Sequence, residues 1–269
     1  MKKITKVLAM ALAAVLLLPV FAGCSNDADK DANKDDGKEK LVIATNAEFP
    51  PFEFIVEKDK GIVGEYDGID IVLMKEIADK LGMELEISNM TFESIIGAVS
   101  SGKADLAVAG MTVDEERLES LDFTETYWAA IQTILVGKDN TEITNVDSLA
   151  GKTVGVVTGY TGDTTLSKIA EEKNITLKRY TKGIDAVQEL VNGKLDAAVI
   201  DSPTAESFIK ENPEIKGVND DAFFETEEYA IGVKKGNQEL LDKVNAALKE
   251  IKEAGRIEEI AKEVDARLK

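Results

Sequence analysis

Short runs of aliphatic and β-branched residues alternate along the chain with segments whose apolar residues recur every three or four positions. The two patterns predict different elements, because a strand covered on both faces needs a continuous apolar run and an amphipathic helix needs an apolar stripe. The runs predict strands over residues 41–45, 84–87, 105–109, 153–157 and 197–200. The spaced apolar residues between the first two strands predict a helix from Ile69 to Leu81 that ends at Gly82. Such alternation is typical of an α/β fold with a mostly parallel sheet.

Two stretches, residues 124–136 and 227–235, lack a helical pattern and are interpreted as extended segments. Further helices are predicted over residues 92–99, 240–251 and 257–264, where apolar residues again recur at helical spacing. We expect the two extended segments to be hinge strands that cross between two lobes. The first lobe then contains both ends of the folded body.

A weak internal repeat supports two lobes. Residues 99–110 (VSSGKADLAVAG) and 190–201 (LVNGKLDAAVID) share a helix end, a Gly-Lys turn, an aspartate and a buried strand. Gly102 and Gly193 suit the left-handed residue that ends a helix. Any Gly-Lys turn between a helix and a strand gives a similar pattern, so the repeat alone does not establish a second lobe.

The first forty residues carry a targeting signal. Lysines precede an apolar run over residues 7–20, which is too short to span a bilayer, and small residues then lead to Cys24. We interpret residues 1–23 as a signal peptide. The placement of Cys24 resembles the lipobox of bacterial lipoproteins, in which the thiol is acylated; a free thiol in an ordinary signal peptide is the alternative. Residues 24–40 are polar and are expected to form a flexible tether.

The amino-acid composition excludes several classes of function. Acidic residues outnumber basic ones 51 to 32, which argues against nucleic-acid binding, and the absence of histidine excludes Ser-His-Asp catalysis and histidine-built metal sites. The single cysteine cannot form an intramolecular disulfide. No cofactor is expected. Removing residues 1–23 leaves 29 basic and 51 acidic residues, a formal charge of −22, so attachment to an anionic membrane surface must come from covalent lipid.

Four ordered segments carry a resemblance to a known family; they are residues 43–53 (IATNAEFPPFE), 64–71 (GEYDGIDI), 102–117 (GKADLAVAGMTVDEER) with 122–127 (DFTETY), and 151–159 (GKTVGVVTG). Together they resemble the polar amino-acid family of periplasmic-type substrate-binding proteins of ABC transporters, solute-binding protein family 3. The likeness covers about residues 41–269. It implies a type II periplasmic-binding-protein-like fold, in which two α/β lobes joined by two hinge strands close over an amino acid.

The resemblance implies lobe boundaries, with lobe 1 formed by residues 41–128 plus 224–269 and lobe 2 by residues 129–223. It also implies that Arg117 grips the α-carboxylate of the ligand, since a planar guanidinium binds both oxygens. The alternative is a surface arginine paired with Glu115 or Glu119. Gly110, Met111 and Thr112 follow a predicted strand, at the edge where open α/β sheets bind ligands, and join this site.

The second lobe is expected to complete the site. Gly159 and Thr161 lie in a strand-to-helix turn whose amides suit an anion, although an ordinary Gly-rich turn looks the same. Asp201 matches the acid that pairs with the ligand ammonium; a helix cap is its alternative role.

The ligand side chain is expected to meet Asn46, Phe49, Phe52 and Ile69, where the two phenylalanines flank Pro50 and Pro51 and are either a rigid apolar wall or ordinary core. Three residues differ from those that relatives carry at positions expected to set specificity. Asn46 stands where many relatives carry aspartate, and Val157 and Ile200 stand where some carry charged or polar side chains. They favour a neutral or polar L-amino acid over arginine or lysine, although Glu48 is an acid that a cationic ligand can use.

The resulting prediction is a non-enzymatic, monomeric receptor, lipid-anchored on the extracytoplasmic face of the cell membrane of a Gram-positive-type bacterium. Its partners are the permease and ATPase subunits of an ABC importer. The competing readings are a basic amino-acid receptor, a dehydratase-type enzyme that uses Asp201 or Glu48, and an extracellular sensor module that depends on a separate signalling partner.

Overall fold

The computed structural model describes residues 38–268. The predicted signal peptide, Cys24 and the tether up to residue 37 lie outside the described residues.

Strands and helices alternate through most of the described chain. The strands are β1 Lys40–Thr45, β2 Glu48–Phe49, β3 Glu53–Ile55, β4 Tyr66–Asp67, β5 Glu84–Asn89, β6 Leu106–Ala107, β7 Leu121–Phe123, β8 Trp128–Ala130, β9 Gln132–Gly137, β10 Thr153–Val157, β11 Thr176–Tyr180, β12 Ala197–Asp201, β13 Ile215–Asn219, β14 Glu227–Tyr229 and β15 Gly232–Lys234. The helices are α1 Ile69–Leu81, α2 Phe92–Ser100, α3 Glu115–Ser120, α4 Thr161–Ser167, α5 Gly183–Val191, α6 Ser202–Glu211, α7 Gln238–Glu253 and α8 Arg256–Arg267.

Two five-stranded sheets organise the molecule. The first has the order β5-β1-β6-β15-β7, with β1 parallel to β5 and β6 and with β15 antiparallel to β6 and β7. The second has the order β11-β10-β12-β9-β13, with β10 parallel to β11 and β12 and with β9 antiparallel to β12 and β13. Each sheet therefore has four strands that run in one direction and one antiparallel strand, β15 in the first sheet and β9 in the second, which confirms the predicted α/β class.

The two predicted hinge strands pair with each other. β8 and β14 form an antiparallel two-stranded sheet, with Trp128 opposite Tyr229 and Ala130 opposite Glu227. Beyond this pair, the chain enters the second sheet through β9 and returns to the first sheet through β15. The extended character predicted for both segments is confirmed.

Helices cover the sheets through apolar faces. In α1, Leu73 and Ile77 have no exposed surface, and burial of such a side chain contributes about 1.5–3 kcal/mol. The helix ends at Gly82, whose φ of 71° is the left-handed conformation that the sequence predicts there. Gly102 and Gly193, with φ of 76° and 70°, end α2 and α5 in the same way.

Strand bounds differ from the sequence-based ones mainly at β6. The ladder covers only Leu106–Ala107 of the predicted residues 105–109, because the chain turns away to form the loop that carries Gly110. β5 and β12 are longer than predicted, and β12 includes Asp201. Within residues 38–268, no helix combines the length and the apolar character that crossing a membrane requires.

Candidate binding site

The site is built where parallel strands end. Asn46 follows β1, the loop at Gly110 follows β6, Gly159 follows β10, and Asp201 is the last residue of β12. Because the carboxyl ends of parallel strands lie at one edge of a sheet, each sheet presents two of these segments together. Contacts between the segments then connect the two sheets across a cleft.

Arg117 is buried at this cleft. Its side chain is 6% exposed, and its Nη1 and Nη2 donate hydrogen bonds to the carbonyl oxygens of Thr112 (2.8 Å) and Gly159 (3.1 Å). The guanidinium lies 5.2 Å from the centre of the Phe92 ring, within range of a cation–π interaction. Asp114 caps α3 by accepting a hydrogen bond from the Arg117 amide (2.7 Å), and its other carboxylate oxygen is 3.3 Å from Nε. The alternative of a surface arginine paired with Glu115 or Glu119 is wrong, since the ion pair is with Asp114 and the side chain is buried.

The Gly110 loop depends on a buried aspartate. The Gly110 amide donates to Asp70 (2.9 Å), and the Tyr127 hydroxyl donates to the other oxygen of the same carboxylate (2.7 Å). Gly110 has a φ of 51°, and a Cβ there would lie 2.6 Å from the Phe49 ring, so both backbone and space require glycine. Burial raises the pKa of Asp70 to about 6, against the opposing effect of its hydrogen bonds.

The second sheet contributes hydroxyl and carboxylate groups. The Thr161 hydroxyl lies 3.2 Å from the Thr112 hydroxyl, across the cleft at the start of α4. Asp201 is 3% exposed and accepts a hydrogen bond from the Tyr229 hydroxyl (2.6 Å). The Asp201 side chain makes no capping bond to α6, so the capping alternative is wrong. Burial raises the pKa of the Asp201 carboxyl.

An aromatic and amide surface closes one side of the cleft. Phe49 packs edge-on against Tyr160, with ring centres 5.3 Å apart, and the Tyr160 hydroxyl donates to Asn46 Oδ1 (3.0 Å). The Asn46 amide group donates to the Met90 carbonyl (2.9 Å), which fixes its orientation.

The sequence-predicted residues separate into two layers. Phe49, Gly110, Thr112, Arg117, Thr161 and Asp201 line the cleft together with Phe92, Ala109 and Tyr160. Asn46 and Gly159 reach this group through Tyr160 and Arg117. Phe52, Ile69 and Met111 lie beneath it in the core, at most 1% exposed, and Phe52 packs on Trp128 and Tyr229.

Sequence reasoning missed Phe92, Tyr160 and Glu227 as residues of the site. Tyr160 lies inside the turn that the sequence singles out, and an aromatic residue beside Gly159 was the available signal. Phe92 was assigned only to a helix. Glu227 lies on a hinge strand beside the exposed acids Glu225 and Glu228, so no feature of the sequence distinguished it. No group of three or more acidic or cysteine residues within the described chain is placed to hold a metal ion.

Two α/β sheets whose strand ends face a common cleft, connected by two hinge strands, define a two-lobed solute-binding protein with the type II periplasmic-binding-protein fold. The chain belongs to the bacterial extracellular solute-binding proteins, family 3, whose family model matches residues 41–264.

Similar proteins bear this out. The chain is 34% identical to a probable histidine-binding protein of Neisseria gonorrhoeae, over 95% of this chain and 93% of that protein. It is also 34% identical to the arginine-binding extracellular protein ArtP of Bacillus subtilis (strain 168), over 94% and 95% of the two chains. Among solved structures, an ancestral arginine-binding protein bound to arginine is similar with a TM-score of 0.77 and 40% identity, over 84% of this chain and 98% of that one.

Proposed function

We propose that this protein is the extracytoplasmic receptor of an amino-acid ABC importer and that it binds a neutral or polar L-amino acid between its lobes. The observation that carries the proposal is the buried Arg117, whose two terminal nitrogens face the cleft segments of both sheets. A buried guanidinium at a cleft is suited to a carboxylate, which both nitrogens can bind at once. The Thr112 and Thr161 hydroxyls, 3.2 Å apart, add polar groups to the same part of the cleft.

Asp201 is the proposed partner of the ligand ammonium. It is a buried carboxylate at the cleft on the side of the second sheet, and burial strengthens its attraction for a cation. Arg117 and Asp201 together select the two charged groups that every free amino acid carries. Gly110 and Gly159 contribute backbone at close approach, while Phe52, Ile69 and Met111 support the cleft from beneath.

The proposed preference for a neutral or polar side chain rests on the groups near Phe49. Asn46 and Tyr160 offer an amide and a hydroxyl, which match a polar uncharged group. Glu48, the acid that a cationic ligand would use, is paired with Lys182 at 2.6 Å. Pairing with Lys182 makes Glu48 less available to hold a guanidinium.

A basic amino acid is the second candidate ligand, favoured by similar proteins that carry arginine in their names. The ancestral arginine-binding protein is also known in a structure bound to glutamine, with 41% identity to this chain and a TM-score of 0.76. The fold of ancestral arginine-binding proteins thus accommodates both a charged and a neutral polar side chain, so the same fold is compatible with either candidate ligand.

Delivery of the bound amino acid to the permease depends on closure of the lobes. We assign lobe 1 to residues 41–128 plus 224–269 and lobe 2 to residues 129–223. A ligand held by Arg117 from one side and Asp201 from the other contacts both lobes only in the closed state, so it shifts the population toward that state. The closed, ligand-loaded monomer is then recognised by the permease, whose ATPase subunits drive import. Cys24 carries the lipid that keeps the receptor at the outer face of a Gram-positive-type membrane, after removal of the signal peptide.

Isothermal titration calorimetry against the twenty L-amino acids tests the proposal. We expect heat from a neutral or polar compound such as L-glutamine, and none from D-glutamine, because the carboxylate, ammonium and side-chain sites together fix the stereochemistry. Heat from arginine, lysine or ornithine alone would establish the basic alternative. Recovery of the bound compound chemically unchanged after long incubation is expected for a receptor and would contradict a dehydratase-type enzyme.

A further inference from the structure

Glu227 is a buried acid on hinge strand β14 that touches both sides of the cleft. One carboxylate oxygen accepts a hydrogen bond from the Thr112 hydroxyl (2.9 Å), and the other accepts one from the Gln132 amide (3.1 Å). The side chain is 9% exposed. The Thr161 hydroxyl donates to the Thr112 hydroxyl (3.2 Å). Glu227 therefore contacts the first-sheet loop and the second-sheet strand β9 directly, and it reaches the start of α4 through Thr112.

Glu227 and Asp201 form a pair of neighbouring carboxyl groups. Gln132, which lies opposite Asp201 in the β12–β9 ladder, donates to Glu227 (3.1 Å), and Tyr229, two residues along the strand from Glu227, donates to Asp201 (2.6 Å). Burial raises the pKa of both carboxyl groups, and the negative charge of Asp201 adds to burial in raising the pKa of Glu227 to about 8. Two buried carboxylates side by side repel each other, so one of them keeps a proton. Because burial and the charge of Asp201 raise the pKa of Glu227 to about 8, Glu227 holds the proton near neutral pH and Asp201 is its ionised partner.

Other ionisable groups near Glu227 do not remove this proton. Tyr229, two residues along the strand, donates its hydrogen bond to Asp201 and has a pKa raised far above neutrality by burial. Lys168 lines the cavity next to the Glu227 carboxyl, together with the exposed acids Glu225 and Glu228. Lys168 is therefore accompanied by acids of opposite charge. Arg117, which donates to the Thr112 carbonyl, is paired with Asp114.

We propose that Glu227 is a second carboxyl group of the ammonium site and that it releases a proton when the amino acid binds. The inference rests on the proposed function, since it takes the ligand ammonium to lie against Asp201. The ammonium brings a positive charge next to the Asp201–Glu227 pair and favours the ionised form of both acids. The ligand keeps its own protons, and the proton from the Glu227 carboxyl passes to the buffer.

The size of the release follows from the shift. An opposite charge at about 4–6 Å lowers a carboxyl pKa by about 1–3, which would take Glu227 from about 8 to between about 5 and 7 in the complex. At about pH 7, the protonated fraction then falls from about 0.9 to between about 0.5 and near zero. We expect about 0.4–0.9 proton released per ligand bound.

Calorimetry in buffers with different ionisation enthalpies, such as phosphate and Tris, measures this number. The probe is the compound among the twenty L-amino acids that gives heat with the wild-type protein, with L-glutamine tried first. Glu227→Gln keeps the size of the side chain and its contacts with Thr112 and Gln132 but cannot ionise, so we expect it to bind with little or no proton release. Glu228→Gln, on the exposed face of the same strand, is the matched control and should release as many protons as the wild type.

The outcomes separate the two proposals. Binding by the wild-type protein without a buffer-dependent enthalpy would overturn the role of Glu227 and leave the receptor function intact. Equal release by wild type and Glu227→Gln would also overturn it, by assigning the proton to another group. Absence of heat with all twenty amino acids would refute the receptor function and this inference together. The wild-type count needs no variant, so the test does not depend on how well Glu227→Gln folds.

Discussion

Replacing Arg117 by lysine keeps a positive charge at the cleft but removes the planar fork that faces it. In the structure, Nη1 and Nη2 reach the carbonyls of Thr112 and Gly159, one in each lobe, from a side chain that is 6% exposed. A lysine ammonium is a point charge on a flexible stem and offers no paired, coplanar donors. Arg117→Lys therefore isolates the contribution of the fork, and Arg117→Ala removes the charge as well.

The magnitude follows from the bonds that each change removes. A hydrogen bond to a charged group contributes about 1.5–3 kcal/mol, so loss of one of the two bonds to a ligand carboxylate in Arg117→Lys should weaken binding about 10- to 150-fold. Arg117→Ala loses both and should weaken binding at least about 100-fold.

Calorimetric titration of the wild type and both variants with the ligand identified by screening measures these ratios. Arg256→Ala is the control, because Arg256 pairs with Glu76 and Glu263 on the outer helices, away from the cleft. We expect its affinity to match that of the wild type. An unchanged dissociation constant in Arg117→Ala, in a protein that still unfolds cooperatively, would remove Arg117 from the site and refute the reasoning that a buried arginine at this cleft exists to bind a carboxylate.

Three further predictions test other parts of the molecule. Tyr160→Phe leaves Asn46 Oδ1 without its 3.0 Å donor, so thermal unfolding should show a loss of about 1–3 kcal/mol, and titrations should shift toward less polar ligands. Burial raises the pKa of Glu53 in the folded state well above its ordinary value, so the free energy of unfolding of the wild type should fall as the pH rises above that ordinary value. In denaturant unfolding from about pH 5 to pH 8, Glu53→Gln should reduce this slope by up to about 1.4 kcal/mol per pH unit. Equal slopes for the two proteins would contradict the prediction. Cys24→Ser should abolish incorporation of labelled palmitate and release the protein from the membrane fraction, whereas retention of both would exclude Cys24 as the lipid site.

The positions of strand ends were predictable from the sequence because they depend on local patterns. A buried apolar run that stops at a polar or glycine residue marks the edge of a sheet, and this placed Asn46 and Asp201 at the ends of β1 and β12 and Gly110 in the loop that follows β6. The two-lobed arrangement followed from the two extended segments and the repeat. These inferences use neighbouring residues in the chain, where spacing determines structure.

The contacts that complete the site were not predictable in this way. Tyr160 meets Asn46 across 114 positions of sequence, and Glu227 meets Thr112 across 115, so no local pattern carries either pair. Local sequence patterns also do not show how far a side chain lies from the cleft. Phe49 and Phe52 are three residues apart in one loop, yet Phe49 lines the cleft and Phe52 lies behind it against Trp128.

The acids beneath the cleft show how binding and stability conflict in this fold. Glu53 and Asp70 have no exposed surface, and both Glu53 oxygens lack a hydrogen-bond partner among the described contacts, so their burial costs free energy. Asp70 offsets part of this cost by fixing the Gly110 loop through one oxygen and Tyr127, which precedes hinge strand β8, through the other. The same carboxylate thus connects the Gly110 loop at the cleft to the residue that precedes hinge strand β8. An apolar replacement would remove the cost of burial but also this connection, so the acid is better explained by the geometry it imposes on the cleft than by any contribution to stability.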